Sequence, residues 1–564
     1  MKRNRFAIPA GLGLLLMLLD PSAHAQTPPD IGDAIRQAQP PVVPPAPEPA
    51  VPKLVEPVIE PPMAAMPAGP RVLVKSIEIE GNRVVDSATL LALVKDGEGQ
   101  SLTLPGLEKL AQKITRYYRI KGYFVARAYI PAQEITDGKL KIRIIEGNYG
   151  RLILKNHSLV RDDIVQGILD AAVKDQDIVS VDTLERAMLL INDTPGAQVI
   201  RADVMPGEKV GTSDFAIEAA ATKPYSGYVV LDNSGSRYTG KYRLSAGIDV
   251  YSPSGRGDKL NAGGMVTNNG NLINGRLAYA LPLSANGLTG ELAYARTQYD
   301  LGSTFSSLNA HGTADAVDAI LSYPVRRTQK QTIRASLDLG YKNLEDKVDS
   351  TGTVTPKVSY SATAGLGLRD ETRLLGANGV TQGGIQLASG YLDITDATAL
   401  SLDQSGPRTQ GRFVKLGLNL SRVSQLPGRF ILTLSGRYQQ SLKGKNVNGS
   451  EQMAVSGPDG VMAYPSGELV GTNATLVRLE LGRPLPTTHN LQSQLLFFGD
   501  WGRANEENPL PTQNARELGD VGLGWKANWK QTVINAYWAH RTTSAATSEP
   551  TASNKFLLQV GWLY

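Results

Sequence analysis

The sequence predicts an α+β region of two small modules followed by an all-β region, a 16-stranded antiparallel transmembrane β-barrel. Three observations support this fold class. Short segments alternate apolar and polar residues throughout residues 223–564, one order of strands and helices occurs twice before them, and a secretory signal opens the chain. Alternation over about ten residues, with turn residues between segments, is typical of outer-membrane barrel strands. A large soluble array of β-sandwiches would show the same alternation and is the alternative fold.

Residues 1–25 have the features of a cleavable signal peptide. Three basic residues within the first five positions precede an apolar run at 6–19, and Ala23-His24-Ala25 supplies the small residues of a cleavage site. No other run approaches the roughly 18 apolar residues that a membrane helix needs. A mature chain that spans a membrane must therefore form a closed barrel, because lipid cannot satisfy the edges of an open sheet.

The composition excludes several classes of protein. The chain has no cysteine, so it has neither a disulfide nor a thiolate nucleophile or ligand. The five histidines are scattered without metal-ligand spacing, and a formal net charge of +5 is mild for 564 residues. We therefore expect no metal, no cofactor and no nucleic-acid partner.

Residues 26–71 are the predicted linker between the signal and the first module. Residues 27–70 hold 14 of the 34 prolines, which predicts an extended polyproline-like spacer. Residues 30–39 are the exception, because Asp30 can cap a short helix that ends before Pro40. A helix of about ten residues is marginal alone in water, so it needs a docking surface or stays disordered.

Two modules with the same element order follow, at 72–147 and 148–222. Each begins with a strand, continues with two helices and ends with two strands. The strands are expected at 75–80, 124–130 and 139–145 in the first module and at 152–155, 199–205 and 213–221 in the second, with the second module's helices at 160–172 and 181–192. Both sheets keep open edges, and an exposed edge can pair with an extended foreign strand.

The barrel region at 223–564 divides into sixteen alternating segments. We place them near 224–232, 240–251, 257–267, 272–282, 287–299, 314–324, 331–343, 356–370, 379–394, 411–424, 428–442, 473–484, 490–501, 516–528, 531–541 and 555–564. The even number fits a bacterial single-chain barrel. The longest connection, residues 443–472, has no periodicity of its own, and loops of this length usually carry function or are disordered.

Several motifs in these segments resemble one family. They are Ile114-Thr115, Tyr118, Gly122-Tyr123, Arg127-Ala128-Tyr129-Ile130-Pro131, Gln133, Asp137-Gly138 and Glu146-Gly147 in the first module, Leu184-Glu185-Arg186-Ala187, Asn192-Asp193, Pro195-Gly196 and Gly211-Thr212-Ser213 in the second, and Asp232-Asn233, Arg237-Tyr238-Thr239-Gly240 at the start of the barrel. Through the first of these three sets of motifs, the first module resembles the leading POTRA (polypeptide-transport-associated) domain of two-partner secretion transporters, the haemolysin secretion/activation family. The other two sets resemble the second module and the first barrel hairpin of the same family. The resemblance implies two periplasmic POTRA domains and an outer-membrane barrel.

The long loop resembles the sixth extracellular loop of that family, whose tip normally reads Val-Arg-Gly-Tyr. Here the tip reads Val461-Met462-Ala463-Tyr464, so Met462 takes the arginine position and Ala463 the glycine position. In the family the loop folds into the lumen, and its arginine pairs with the aspartate of a Phe-x-Asp-x-Gly motif on the inner barrel wall. That wall motif is present as Phe498, Asp500 and Gly502.

This departure leaves Asp500 without its usual partner, because a thioether cannot form a charge-assisted hydrogen bond with a carboxylate. Lys443, Lys445 and Arg503 are the nearest cations in sequence that could replace the arginine. Otherwise the loop is held more weakly than usual. We expect a loop that still lies inside the lumen but has a different anchor.

The resemblance implies a pore that passes an unfolded, extended exoprotein of haemolysin or adhesin type from the periplasm to the cell surface. It implies a monomeric barrel surrounded by outer-membrane lipid, a plug formed by residues 30–39, and no enzymatic activity. Substrate recognition would involve Tyr118, Gly122, Tyr123, Arg127, Tyr129 and Gln133. The alternatives are a barrel-assembly insertase and a degenerate family member that binds without transporting. A passive porin or a lipase would leave the two modules unexplained.

Overall fold

The computed structural model describes residues 28–41, 52, 70–135, 137–373, 376–510, 514–549 and 552–564. The predicted signal at 1–25 and the linker residues 26–27, 42–51 and 53–69 lie outside the described residues. The described chain forms a short helix, two α+β domains and a closed barrel. This arrangement confirms the predicted fold class.

The first element is helix α1 (Ile31–Gln37), within the predicted range of 30–39. Asp30 caps it, because its carboxylate accepts a hydrogen bond from the Asp33 amide at 3.1 Å. A helix of this length is unstable alone. Ile31, Ala34 and Ala38 are buried against lumen-facing side chains of the barrel, and this packing stabilises the helix.

Domain 1 contains a three-stranded sheet covered by two helices. Its elements are β1 (Val72–Leu73), β2 (Ser76–Glu80), α2 (Ser87–Val94), β3 (Ser101–Leu102), α3 (Leu104–Ile120), β4 (Arg127–Tyr129) and β5 (Lys139–Ile145). The sheet order is β2-β5-β4, with β2 parallel to β5. The separate pair of β1 and β3 is an addition to the prediction, because two-residue strands carry no periodicity.

Domain 2 repeats this plan. Its elements are β6 (Asn148–His157), α4 (Asp162–Val173), α5 (Val181–Asn192), β7 (Ala197–Pro206) and β8 (Thr212–Ala221), with sheet order β6-β8-β7. The apolar stripes of α4 and α5 pack on one face of the sheet, where Val165, Leu169 and Ile191 are buried. Strands β6 and β7 are the edges of this sheet.

Sixteen antiparallel strands close into the barrel, with β9 hydrogen-bonded to β26. They are β9 (Tyr225–Asp232), β10 (Arg243–Tyr251), β11 (Lys259–Thr267), β12 (Leu272–Pro282), β13 (Thr289–Asp300), β14 (Ala310–Arg327), β15 (Gln331–Val348), β16 (Thr353–Asp370), β17 (Gly379–Ile394), β18 (Gly411–Leu426) and β19 (Phe430–Ser441), followed by β22 (Asn473–Pro484), β23 (Leu491–Asn505), β24 (Arg516–Trp529), β25 (Thr532–Arg541) and β26 (Asn554–Leu563). Between β19 and β22, the short strands β20 (Met453–Ala454) and β21 (Val470–Gly471) pair within the long loop. Helix α6 (Ala397–Ser405) connects β17 and β18.

Strands β14, β15 and β16 are longer than predicted, at 18 residues each. A barrel strand crosses a bilayer in about 9–11 residues, so these three strands continue beyond the apolar band. The added end of β15 includes the polar run Glu345-Asp346-Lys347, where the alternation of apolar residues stops.

The two faces of the barrel have opposite character. Large apolar side chains such as Leu231, Leu292, Leu366, Leu523 and Phe556 are more than half exposed on the outer face. The polar residues of the same strands point inward, as the period of two requires. An exposed apolar belt with a polar interior is what a membrane-embedded barrel needs. Within the described residues, no helix has the length and apolarity to cross a bilayer.

Domain 2 is docked against one end of the barrel, which we call the near end. The Arg161 amide donates to the Gly255 carbonyl at 2.9 Å, and the Ser252 hydroxyl donates to the Leu159 carbonyl at 3.1 Å. An ion pair of Asp193 with Arg327, at 2.8 Å, fixes the end of α5 to the end of β14. The longest loops, including 443–472, emerge at the opposite, far end.

Candidate functional site

A row of four charged residues crosses the inner wall of the barrel. Arg478 on β22, Asp500 on β23, Asp520 on β24 and Arg541 on β25 are consecutive register partners on neighbouring strands. Their flanking residues, such as Val477, are exposed on the outer face, so all four side chains point into the lumen. Two carboxylates lie side by side between two guanidinium groups, and we call this set the charge row.

Arg478 is the cation that neutralises Asp500. Its Nε and Nη2 atoms donate to the two carboxylate oxygens at 2.7 and 2.8 Å, and the Asp500 side chain is fully buried. Such bidentate pairs are the strongest form of charge-assisted hydrogen bond. The wall itself therefore provides the positive charge that the loop tip lacks.

The three cations proposed from the sequence as partners of Asp500 were wrong. Arg503 lies three residues from Asp500, which puts it on the opposite face of β23, where it pairs with Glu517 at 3.5 Å. Lys445 donates instead to the Gln410 carbonyl, and Lys443 is exposed at the far end. Proximity in sequence selected one residue on the outer face of β23 and two residues in the loop after β19, none of which contacts Asp500.

The loop tip contacts the charge row through its backbone. The Met462 amide donates to Asp500 at 3.4 Å, and the Ala463 amide donates to Asp520 at 2.6 Å. Arg478 donates to the Gly460 carbonyl at 2.6 Å, and Arg541 donates to the Ala463 carbonyl at 3.1 Å. The expected arginine side chain is thus replaced by four main-chain hydrogen bonds, and the loop lies inside the lumen with a different anchor.

Apolar packing completes the attachment of the tip. Val461, Met462, Ala463 and Tyr464 are all at most 3% exposed, in one cluster with wall residues that include Phe498. Tyr464 stacks under the Arg541 guanidinium, 4.8 Å from ring centroid to Cζ, and its hydroxyl hydrogen-bonds to the loop at 543–544. The tip is therefore part of the barrel core.

Gly502 of the wall motif permits this close approach. A Cβ atom at Gly502 would lie 3.0 Å from the Val455 Cβ atom and 3.2 Å from the Val461 side chain. Phe498 is fully buried and packs edge-on against Tyr537, with ring centroids 6.0 Å apart. In the wall motif, Asp500 thus supplies a charge, Phe498 supports the loop with an aromatic ring, and Gly502 leaves space for the loop to approach the wall.

Two further carboxylates attach the body of the loop. Glu451 bridges Lys342 on β15 and Lys415 on β18, at 2.6 and 2.8 Å. Glu468 has a fully buried side chain that pairs with Arg516 at 2.9 Å and accepts hydrogen bonds from residues 547–548. The loop is therefore connected to three separate parts of the barrel wall.

Helix α1 lies in the far half of the lumen, against the loop. The Arg36 guanidinium donates to the Gly449 carbonyl, and a Cβ atom at Gly32 would lie only 2.4 Å from the Gly449 carbonyl carbon. On the wall side, Arg243 donates to the Gln37 carbonyl at 2.7 Å, and the Ile31 amide donates to Asp346 at 2.8 Å. The helix and the loop together occupy the far half of the lumen.

The predicted recognition residues of domain 1 divide into two groups. Tyr118 is fully buried, and its hydroxyl donates to Glu146 at 2.8 Å. Burial and the neighbouring carboxylate raise the pKa of Tyr118 above its ordinary value. Gly122 has φ of +91° where the chain leaves α3, a conformation that suits glycine. These two residues shape the domain, and a buried Tyr118 cannot touch a substrate in this conformation.

The other four residues lie on or beside the β4 edge. Arg127 is exposed, while Tyr123 and Tyr129 are half-buried. The Gln133 side chain forms two hydrogen bonds with the Lys141 backbone, at 2.8 and 2.9 Å, and so continues the pairing of β5 beyond the end of β4. Within the described residues no further strand pairs with β4 on this side, and the Ala128 amide donates to the Thr115 hydroxyl at 2.9 Å.

Five residues of the site were not predicted from the sequence: Arg478, Asp520, Arg541, Glu451 and Glu468. The first three lie on the polar faces of correctly predicted strands, so the alternation marked them as lumen residues without showing which ones are neighbours. The described residues hold no group of three histidine or acidic side chains suited to a metal ion.

The fold and the site define a class of protein: an outer-membrane β-barrel transporter with POTRA domains and a loop attached inside its lumen. The sequence matches the profile of the haemolysin secretion/activation protein ShlB/FhaC/HecB over residues 211–527, and the ShlB-type POTRA domain over residues 72–147. The first match covers more than half of the chain, and the chain belongs to this family.

Known relatives agree with this assignment. The heme/hemopexin transporter protein HuxB of Haemophilus influenzae is 28% identical over 531 residues, 93% of each chain. The hemolysin transporter protein ShlB of Serratia marcescens is 24% identical over 297 residues, 52% of each chain. Among solved structures, CdiB from Escherichia coli is similar with a TM-score of 0.71 at 19% identity, covering 91% of this chain and 94% of its own. The family consists of outer-membrane transporters whose POTRA domains are periplasmic.

Proposed function

We propose that this chain secretes one partner exoprotein, which reaches the periplasm unfolded and crosses the outer membrane through the barrel. The observation that carries this proposal is the loop tip on the charge row. The site keeps the loop inside the lumen although the arginine of the tip is methionine here. The lumen architecture of a secretion pore is therefore retained, which argues against a degenerate member that only binds.

Domain 1 is the proposed recognition site for the exoprotein. Strand β4 is an edge strand of three residues that carries Arg127 and Tyr129, and its central Ala128 amide donates to the Thr115 hydroxyl at 2.9 Å rather than to another strand. An extended segment can add a strand at such an edge, with affinity from main-chain hydrogen bonds and selectivity from side chains. Arg127, Tyr129, Tyr123 and Gln133 would contact the substrate, and Tyr118 and Gly122 would maintain the surface.

Helix α1 is the proposed plug of the resting pore. Its docking requires that it leave the lumen, or shift within it, before a chain can pass. We also infer that the barrel works as a monomer in contact with lipid and that it catalyses no reaction.

Secretion can be tested with the exoprotein gene encoded beside this one, where a long repetitive β-helix protein is expected. Coexpression should release that protein at the cell surface. Arg127→Ala should reduce release, because it alters the β4 edge, whereas Arg116→Ala on the exposed face of α3 removes the same charge elsewhere and should not. Unchanged release from Arg127→Ala would remove this edge from the mechanism.

The second candidate is a barrel-assembly insertase. BamA from Haemophilus ducreyi shares the fold with a TM-score of 0.51 at 14% identity, which supports the architecture alone. Depletion of the host insertase distinguishes the two functions. If expression of this chain restored the assembly of other barrels, it would be an insertase, and we expect no such restoration.

A further inference from the structure

A cavity of about 640 Å³ lies in the near half of the lumen, between domain 2 and the loop tip. Five arginines and two aspartates are its charged lining residues: Arg327, Arg334, Arg369, Arg437, Arg478, Asp193 and Asp459. The remaining polar lining includes Gln382, Asn419 and Ser421. Arg437 and Arg478 donate to the loop and Arg327 pairs with domain 2, so these contacts involve three of the five arginines.

Three of the five arginines have carboxylate partners. Arg327 pairs with Asp193 at 2.8 Å, Arg369 with Glu371 at 2.6 Å, and Arg478 with Asp500 at 2.7 Å. The other two, Arg334 and Arg437, form no ion pair with any residue that the structure describes.

Arg334 also has no hydrogen bond to a described residue, and Arg437 donates to the Asp459 carbonyl at 2.5 Å. An arginine stays charged at any physiological pH and has five N–H donors. Two guanidinium groups without an ion pair that line one open cavity attract anions, and they suit carboxylates because the two planar groups match.

The arginines form an arc that rises from the near end to the charge row. Arg334 and Arg369 lie near the domain-side ends of β15 and β16, while Arg437 and Arg478 lie halfway along β19 and β22. The arc spans six adjacent strands, and at about 4.8 Å per strand it covers roughly 24 Å, the length of about seven extended residues. Its lower end is beside the Asp193–Arg327 contact with domain 2.

We propose that this arginine arc binds an acidic, extended segment of the exoprotein as it enters the barrel. The proposal rests on the proposed secretion function and names the chemistry of the segment: carboxylates spaced along a chain of about seven residues. Such a segment would leave domain 2, pair with Arg334 and Arg437, and end below the loop tip. A lysine-rich segment would be repelled by the same arc.

The test is binding of a fluorescent octaglutamate peptide to the purified full chain in detergent, followed by anisotropy. Wild type should bind octaglutamate, with affinity that falls as salt rises, and should not bind octalysine. Arg334→Gln and the double variant with Arg437→Gln should weaken binding progressively, the double variant by about tenfold or more. Arg412→Gln is the matched control, since Arg412 lies at the far end of β18, opposite Tyr391 and outside the cavity.

Each outcome decides the proposal. Equal binding by wild type and the double variant, or equal binding of octalysine, would overturn it. Displacement of the peptide by millimolar inorganic phosphate would show that a small anion suffices and would overturn the polypeptide assignment. Because the assay uses purified protein, it is separate from secretion: a chain that binds octaglutamate through the arc but releases no exoprotein would contradict the proposed function while the site remained.

Discussion

Arg478 lies directly opposite Asp500 on the neighbouring strand and donates to both of its carboxylate oxygens, at 2.7 and 2.8 Å. The same guanidinium donates to the loop at Gly460. One side chain of the wall thus neutralises the wall carboxylate and attaches the loop, two roles that the sequence suggested for a residue of the loop.

Arg478→Gln should release the loop from the wall. The change leaves a buried Asp500 without its cation, and breaking a buried pair costs about 3–5 kcal/mol. We expect a larger and noisier single-channel current and a lower melting temperature. Arg503→Gln is the control, because its exposed pair with Glu517 contributes at most about 1 kcal/mol. Equal currents in wild type and Arg478→Gln would contradict this anchor.

Met462→Arg should rescue the Arg478→Gln variant. Met462 is buried beside Asp500, and Asp520 has a buried oxygen, Oδ1, without a hydrogen bond from any described residue, so an arginine here would meet two carboxylates. We expect the double variant to regain much of the wild-type conductance and melting temperature. Met462→Gln in the same background adds length without charge and should not rescue. A double variant no better than Arg478→Gln would show that the two positions cannot exchange this role.

Gly32→Ala should displace the plug helix. Its Cβ atom would meet the Gly449 backbone at 2.4 Å, and overpacking of this kind costs about 1–3 kcal/mol. The resting current should rise in planar bilayers, in the direction expected for deletion of residues 26–70. Gln39→Ala, at an exposed position just after the helix, should leave the current unchanged. A closed Gly32→Ala channel would mean that the helix does not obstruct the pore.

Glu451→Gln should loosen the first half of the loop. Glu451 is the shared partner of Lys342 and Lys415, so its loss leaves two lysines in the lumen without their carboxylate, at a cost of about 3 kcal/mol. Limited proteolysis of intact cells should then cut the loop faster. Glu345→Gln removes an exposed carboxylate from the strand that carries Lys342 and serves as the control. Identical cleavage rates in the two variants would argue against the bridge.

The sequence was sufficient for the architecture because strand alternation is a local property. Each of the sixteen segments carries its own apolar face, so the number of strands and their inward residues could be read one segment at a time. The positions of Asp500 and Arg478 on inward faces were available in this way. Their pairing was not, because it depends on the register between two strands joined by a turn, and a shift by one residue would exchange every partner.

The alternation of side chains along a strand would have excluded one of the three cations proposed as partners of Asp500. Residues on one strand that differ by an odd number lie on opposite faces, which excludes Arg503 as a partner of Asp500. Helical spacing in domain 1 predicts Leu107, Leu110, Ile114 and Tyr117 on one apolar stripe of α3. The first three are buried, but Tyr118 is the fully buried tyrosine, while Tyr117 is half-buried at the margin of the same core.

The contact between Gly32 and Gly449 has a consequence for passage through the barrel. Two residues without side chains meet there, so the helix and the loop fit as closely as neighbours in a protein core. Helix α1 and the loop therefore obstruct the lumen as one packed unit. An incoming polypeptide must either separate the helix from the loop at Gly32 and Gly449 or displace both of them together.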